Sequence, residues 1–209
     1  MFDGTLESIK RRNMPSSIYE KLVADVKERE GSPLAETIIP LPNETRDSFF
    51  EGMRFLANAG IEKFIPYTTM MLKGTELASK EHRDKFKLET RYRLLPKQFG
   101  EYRGEKCLEV EEVCISTNTM SFDEYLDCRG FAFICTLFAQ YNYESIRMLA
   151  HEANMELFDF YLSLWKLITT EETDLTSMYN NFINDMKAEL FLNKKDLKDF
   201  YSDTENYKN

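Results

Sequence analysis

From Ser17 onward the apolar positions fall into blocks of different period. Ile18, Leu22 and Val26 recur every four residues with Val23 beside them, and Gly31 stops the run. This spacing predicts an amphipathic helix, opened by the capping-box pattern Ser17-Ile18-Tyr19-Glu20. Leu34 to Leu41 is apolar and β-branched and reads as a strand; Pro40, with no N–H for a ladder, marks where it ends. Thr45 is placed to cap a second helix with Phe49, Met53, Leu56 and Ala57 on its inward stripe, and Gly60 ends it. Ile61 to Tyr67 reads as the next strand. Helix, strand, helix, strand over residues 16–67 predicts crossover units and a parallel sheet.

After Tyr67 the rhythm breaks. A short charged helix near Lys80 to Phe86 precedes an extended stretch, TRYRLLPKQFGEY. Cys107 to Ile115 reads as one more strand, placed at a sheet edge by Glu109, Glu111 and Glu112. Ser121-Phe122-Asp123-Glu124 is a second capping box, and the pattern beyond it predicts helices over about 122–139, 143–153, 155–168 and 175–192. The last residues, SDTENYKN, read as frayed.

Composition narrows the function classes. A net charge of −9 over 209 residues argues against non-specific binding to nucleic acid or to an anionic membrane, both of which need cationic surface. The first residues, MFDGTLESIKRR, lack the apolar core of a signal peptide, and the longest nearly apolar run, Phe131 to Ala139, is too short to span a bilayer. Four cysteines without a secretory signal read as reduced thiols of a cytoplasmic protein.

Several chemistries are absent from the sequence. There is no GxGxxG, no P-loop and no G-x-S-x-G elbow, and HEANM puts Met155 where a zinc protease needs its second histidine. His82 and His151 sit in charged, helix-like surroundings that suit surface or helix-end roles. Cys107/Cys114 and Cys128/Cys135 are each seven apart, wider than the usual spacing of zinc or iron–sulfur ligands, and read as small buried hydrophobes; no metal ligand is assigned. Arg91 and Arg93, two apart in an extended stretch, project to one side. Such a pair fits a carboxylate or phosphate of a substrate, and ion pairing with the many nearby acids is the alternative. The run Met70-Met71-Leu72 lines an apolar pocket or belongs to the core. No residue is identified as catalytic.

One ordered series of segments resembles a known family. TIIPLPNETRDSFFEGMRFLANAGIEKFIPYTTMMLKGTEL is similar to the fifth and sixth β/α units of a radical S-adenosylmethionine (SAM) enzyme, with PLPNET standing for a loop like G-L-P-G-E-T. Upstream, SIKRRNM resembles the stretch after that family's fourth strand. Downstream, ELASKEHRDKFKLETRYRLLPKQFGEY and STNTMSFDEYLDCRGFAF resemble the C-terminal extension of members that carry an N-terminal cobalamin-binding domain. The likeness spans about residues 5–140.

The resemblance implies an α/β fold: a partial (β/α) barrel, the C-terminal half of a TIM-like barrel, over residues 1–95. A C-terminal extension would follow over 96–209, one edge strand and then mostly helix. It implies that Ile39, Leu41 and Pro42 support the SAM adenine and that Tyr67 to Met71, with Tyr67, Met70 and Met71, offer backbone groups to its edge. Pro40 and Asn43 stand where the family has glycine; Asn43 suits left-handed backbone, whereas Pro40 removes a donor. The family's cofactors are SAM, a [4Fe-4S] cluster on C-x3-C-x2-C and, in this branch, cobalamin on D-x-H-x-x-G. Neither motif occurs here. The chain is therefore expected to be a C-terminal fragment of an enzyme whose parent generates a 5′-deoxyadenosyl radical. Alone it would be inactive, bind no cofactor tightly and leave a strand edge open for its missing N-terminal half-barrel or its own paralogue. The alternative is a non-catalytic module for a nucleotide-like ligand or a protein partner.

Overall fold

β1 (Leu34–Ile39) and β2 (Lys63–Thr68) run parallel, in register from Leu34 opposite Lys63 to Ile39 opposite Thr68. A parallel pair needs a crossover, and α3 (Arg46–Asn58) supplies it. The structure is a computed structural model that describes residues 3–12, 14–61, 63–139, 143–203 and 205–206. Ahead of the parallel pair lie α1 (Asp3–Ser8) and α2 (Ser16–Glu28); behind it come α4 (Lys80–Phe86) and the antiparallel hairpin β3 (Glu89–Tyr102) and β4 (Glu105–Ser116). Five helices close the chain: α5 (Phe122–Phe138), α6 (Glu144–Glu152), α7 (Leu157–Thr170), α8 (Thr176–Ala188) and α9 (Lys194–Ser202). The protein is mixed α/β, and the described residues form no closed barrel.

Residues 69–71 join the two small sheets. Met70 forms an antiparallel bridge with Val113, flanked by hydrogen bonds from Met71 N–H to Glu112 O and from Cys114 N–H to Thr69 O. The spatial order is thus β1, β2, β4, β3. This corrects the edge placement of the Cys107–Ile115 strand, because the C-terminal half of β4 has neighbours on both sides. Two of the three glutamates that suggested an edge are paired instead: Arg93 Nε donates to Glu111 Oε1 at 2.6 Å, and Arg83 grips both oxygens of Glu112 at 2.6 and 3.0 Å. The expected division at residue 95 falls inside β3, and one continuous core runs from Val23 and Phe64 to Tyr161 and Met186.

One face of the parallel pair is thickly covered. Ala35, Ile39 and Phe64 pack with Phe49, Met53 and Ala57 of α3 and with Cys128, Phe131 and Cys135 of α5. Thr136 Oγ1 donates to Phe64 O, and the Thr68 and Tyr125 hydroxyls meet at 3.1 Å. Behind α5 stand Phe158 and Tyr161 of α7 and Tyr179 of α8; a Cβ at Gly130 would collide with the Tyr179 hydroxyl, so this helix contact requires glycine. The opposite face is open: Glu36 and Tyr67 are exposed, and Ile38 and Ile65 are half-buried.

Some local expectations shift. α2 begins at Ser16 behind Pro15 with no side-chain cap, so the Ser17–Glu20 box is not formed, whereas the Ser121–Glu124 box is present. The apolar stripe of α2 is only partly used: Val23 is buried, but Ile18 and Leu22 are 53% and 50% exposed. α9 was not expected; Asn193 caps it through the Asp196 N–H, and Leu197 anchors it. Among the described residues no helix is long and apolar enough to cross a membrane.

Candidate functional site

The loop after β1 is built by its own residue types. Leu41 O accepts from Glu44 N–H at 3.1 Å, with Pro42 and Asn43 between them and Asn43 at φ +62°. Proline presets the first central position of such a turn, and asparagine tolerates the positive φ of the second, as in a type II turn. Thr45 then starts α3 in a reciprocal capping box with Ser48. Three residues from two neighbouring segments brace the loop. Ser8 Oγ donates to Pro42 O, while Asn118 Nδ2 donates to Asn43 Oδ1 at 2.8 Å and Thr119 Oγ1 to Glu44 O at 2.7 Å. The Ile39–Pro40 peptide is cis, and Pro40 O accepts from Thr69 Oγ1 at 2.6 Å.

Above the open sheet face, at the C-terminal ends of β1 and β2, lies a cavity of about 830 Å³. Of the residues expected there, Leu41, Tyr67, Met70 and Arg93 line it. Ile39, Pro42 and Met71 do not. Ile39 has no exposed surface and faces α3 and α5, so Ile38 is the strand residue that reaches the cavity, one position away. Met71 is buried against β4, and Pro42 lies beneath Ser8. Arg91 turns its guanidinium to its neighbour's carbonyl, Thr90 O.

The polar groups of this cavity are mostly engaged. Arg93 is held between Glu111 and Glu189, the latter at 2.8 Å; burial disfavours its charge, but the two carboxylates outweigh burial and raise its pKa. His82 Nε2 lies 3.4 Å from Glu76 Oε1, a contact that sequence reasoning did not foresee. Met70 differs. Its neighbours bond to β1 and β4, yet its own N–H and C=O make no hydrogen bond among the described residues. A peptide with both groups free at a cavity wall can pair with one donor and one acceptor on the edge of a flat heterocycle.

Glu44, in the same loop, was also missed. It is 3% exposed, and burial pushes its carboxyl up to about 7 despite the opposing positive charge of the chain's amino terminus and a hydrogen bond from the Leu41 N–H. Its Oε2 has no hydrogen-bond partner among the described residues. It lines a second cavity of about 400 Å³ between β1 and α3.

The cysteines are dispersed: Cys114, Cys128 and Cys135 are buried and Cys107 is exposed. Burial pushes the Cys114 thiol up to about 12 and raises those of Cys128 and Cys135 as well, so none of the three is thiolate at neutral pH. Among the described residues no three His, Cys, Asp or Glu side chains gather to hold a metal ion. No family model and no curated protein matches the chain.

Proposed function

We propose that this chain carries the last β/α units of a radical SAM barrel and that its open sheet face is one wall of the SAM site. The observation that carries the reading is the asymmetry of the parallel pair. Helices cover one face, while the other opens into a cavity at the strands' C-terminal ends, the end at which parallel barrels place their sites. β1 has one strand neighbour among the described residues, and the nearby Ile18 and Leu22 of α2 stay exposed. An edge of this kind suits a further strand and helix of the same barrel. The Met70 peptide fits the adenine edge, Ile38 and Leu41 its face, and Tyr67 the ribose side of the opening.

Among the described residues no three ligands converge, so these residues do not fit an iron–sulfur cluster. The redox centre of the parent enzyme belongs to a segment bearing C-x3-C-x2-C, and what these residues contribute is binding and orientation. One wall alone binds weakly. Two backbone hydrogen bonds, each worth about 0.5–1.5 kcal/mol net, with a few apolar contacts, reach roughly the −4.1 kcal/mol of a 1 mM dissociation constant.

Calorimetric titration tests the reading. SAM added to this chain alone should give little heat. SAM added to a complex with an N-terminal half-barrel carrying the cysteine motif should bind clearly, and Ile38→Asp should weaken that binding. Micromolar binding to the chain alone would make it a SAM-binding module in its own right, and no gain from the complex would remove the barrel reading.

A further inference from the structure

The 400 Å³ cavity is separate from the site just described, although Ile9, Arg11, Ile38 and Leu41 border both. It lies between β1 and α3, and Phe49, Met53 and Leu56 give it an apolar wall. Two buried polar atoms on residues that line it, Glu44 Oε2 and Thr37 Oγ1, have no hydrogen-bond partner among the described residues. A buried acceptor without a donor is costly, and the cost is greatest for a carboxylate oxygen. One water occupies about 30 Å³, and the apolar walls offer further waters few partners, so water alone fills this space poorly.

We propose that this cavity binds a small amine with an apolar body, its ammonium group donating to Glu44 Oε2 and its hydrocarbon lying against Phe49, Met53 and Leu56. A cation is favoured over a neutral donor because a charge-assisted hydrogen bond is the stronger one, and because it restores to Glu44 the charge that burial disfavours. The same carboxylate, with Glu36 also on the lining, disfavours an anion, and Arg11 at the border opposes it in part. Thr37 Oγ1 is available to a second polar group of the ligand. The proposal concerns this chain by itself, since a strand added along β1 would border the same cavity, and its test uses no SAM.

The experiment is an amide-resolved NMR titration of the whole chain with isoamylamine and, as the anionic counterpart with the same branched tail, isovalerate. Isoamylamine should move the Thr37, Glu44 and Phe49 amides to saturation, and isovalerate should leave them in place. Glu44→Gln should weaken the amine by about tenfold or more. Leu56→Trp fills the cavity from its half-buried wall and should block the amine without touching Glu44. Equal effects of the two probes, unchanged affinity in Glu44→Gln, or no movement of these amides would overturn the proposal.

Discussion

Replacing Glu44 by glutamine should stabilise the protein increasingly as the pH rises through neutrality. Burial raises the Glu44 carboxyl from an ordinary 4.5 to about 7. A carboxyl with a raised folded pKa binds its proton more tightly folded than unfolded, so its contribution is fully present below the unfolded pKa and is lost as the pH rises through the folded one. The window therefore runs from about pH 4.5 to just above pH 7. Each pH unit of difference is worth about 1.4 kcal/mol, which puts the whole penalty of ionised Glu44 near 3 kcal/mol. Only 3% of Glu44 is exposed, so solvent does little to relieve it. Glutamine keeps the volume and the acceptor for the Leu41 N–H and removes the titration. Burial also pushes the Glu112 carboxyl up, but hydrogen bonds from Arg83 and Thr90 outweigh it and hold the group below 4.5, so it acts at lower pH and cancels in the comparison. The assay is urea unfolding of both proteins at several values between pH 5 and 8.5. The difference in stability should grow by about 2.5 kcal/mol in favour of glutamine across that range, the remainder having been lost below pH 5. Parallel curves would mean that Glu44 titrates as a solvated carboxyl, and the orphan-oxygen argument would fall with them.

Three further outcomes are expected. Phe49→Ala should cost about 3–5 kcal/mol in denaturation experiments, because Phe49 lies fully in the sheet–helix core. Leu56→Ala, on the same face but half-buried, should cost about 1–2 kcal/mol; equal losses would mean that α3 is rotated from the orientation described. Arg93→Met should destabilise by about 3 kcal/mol or more, since it leaves the buried Glu111 without a countercharge, and a loss near zero would show that Glu111 reaches water.

The β-helix-β unit from Thr37 to Tyr67 was legible in the sequence because apolar, β-branched runs flank a stripe of period 3.6, with Thr45 and Gly60 as punctuation. The facing of its strand was not. TIIPL is apolar at successive positions, so no alternation tells Ile38 from Ile39, and only the seating of α3 and α5 turns Ile39 inward. The acids of β4 misled for a related reason. Glu111 and Glu112 announce charge, but their partners Arg93 and Arg83 lie 18 and 29 residues away, where local spacing says nothing. α9 left a readable trace, Asn193 three residues before Asp196 and then Leu197, in a segment whose high charge drew attention from its cap. Glu44 left none, because the burial of a loop carboxylate is decided by the elements that close over it.

The most direct test of the central claim follows SAM by amide NMR on this chain alone. The account predicts shifts centred on Met70, spreading to Leu41 and Tyr67, in fast exchange and with a dissociation constant on the order of 1 mM or weaker. Shifts that bypass Met70, or none up to about 10 mM SAM, would contradict it.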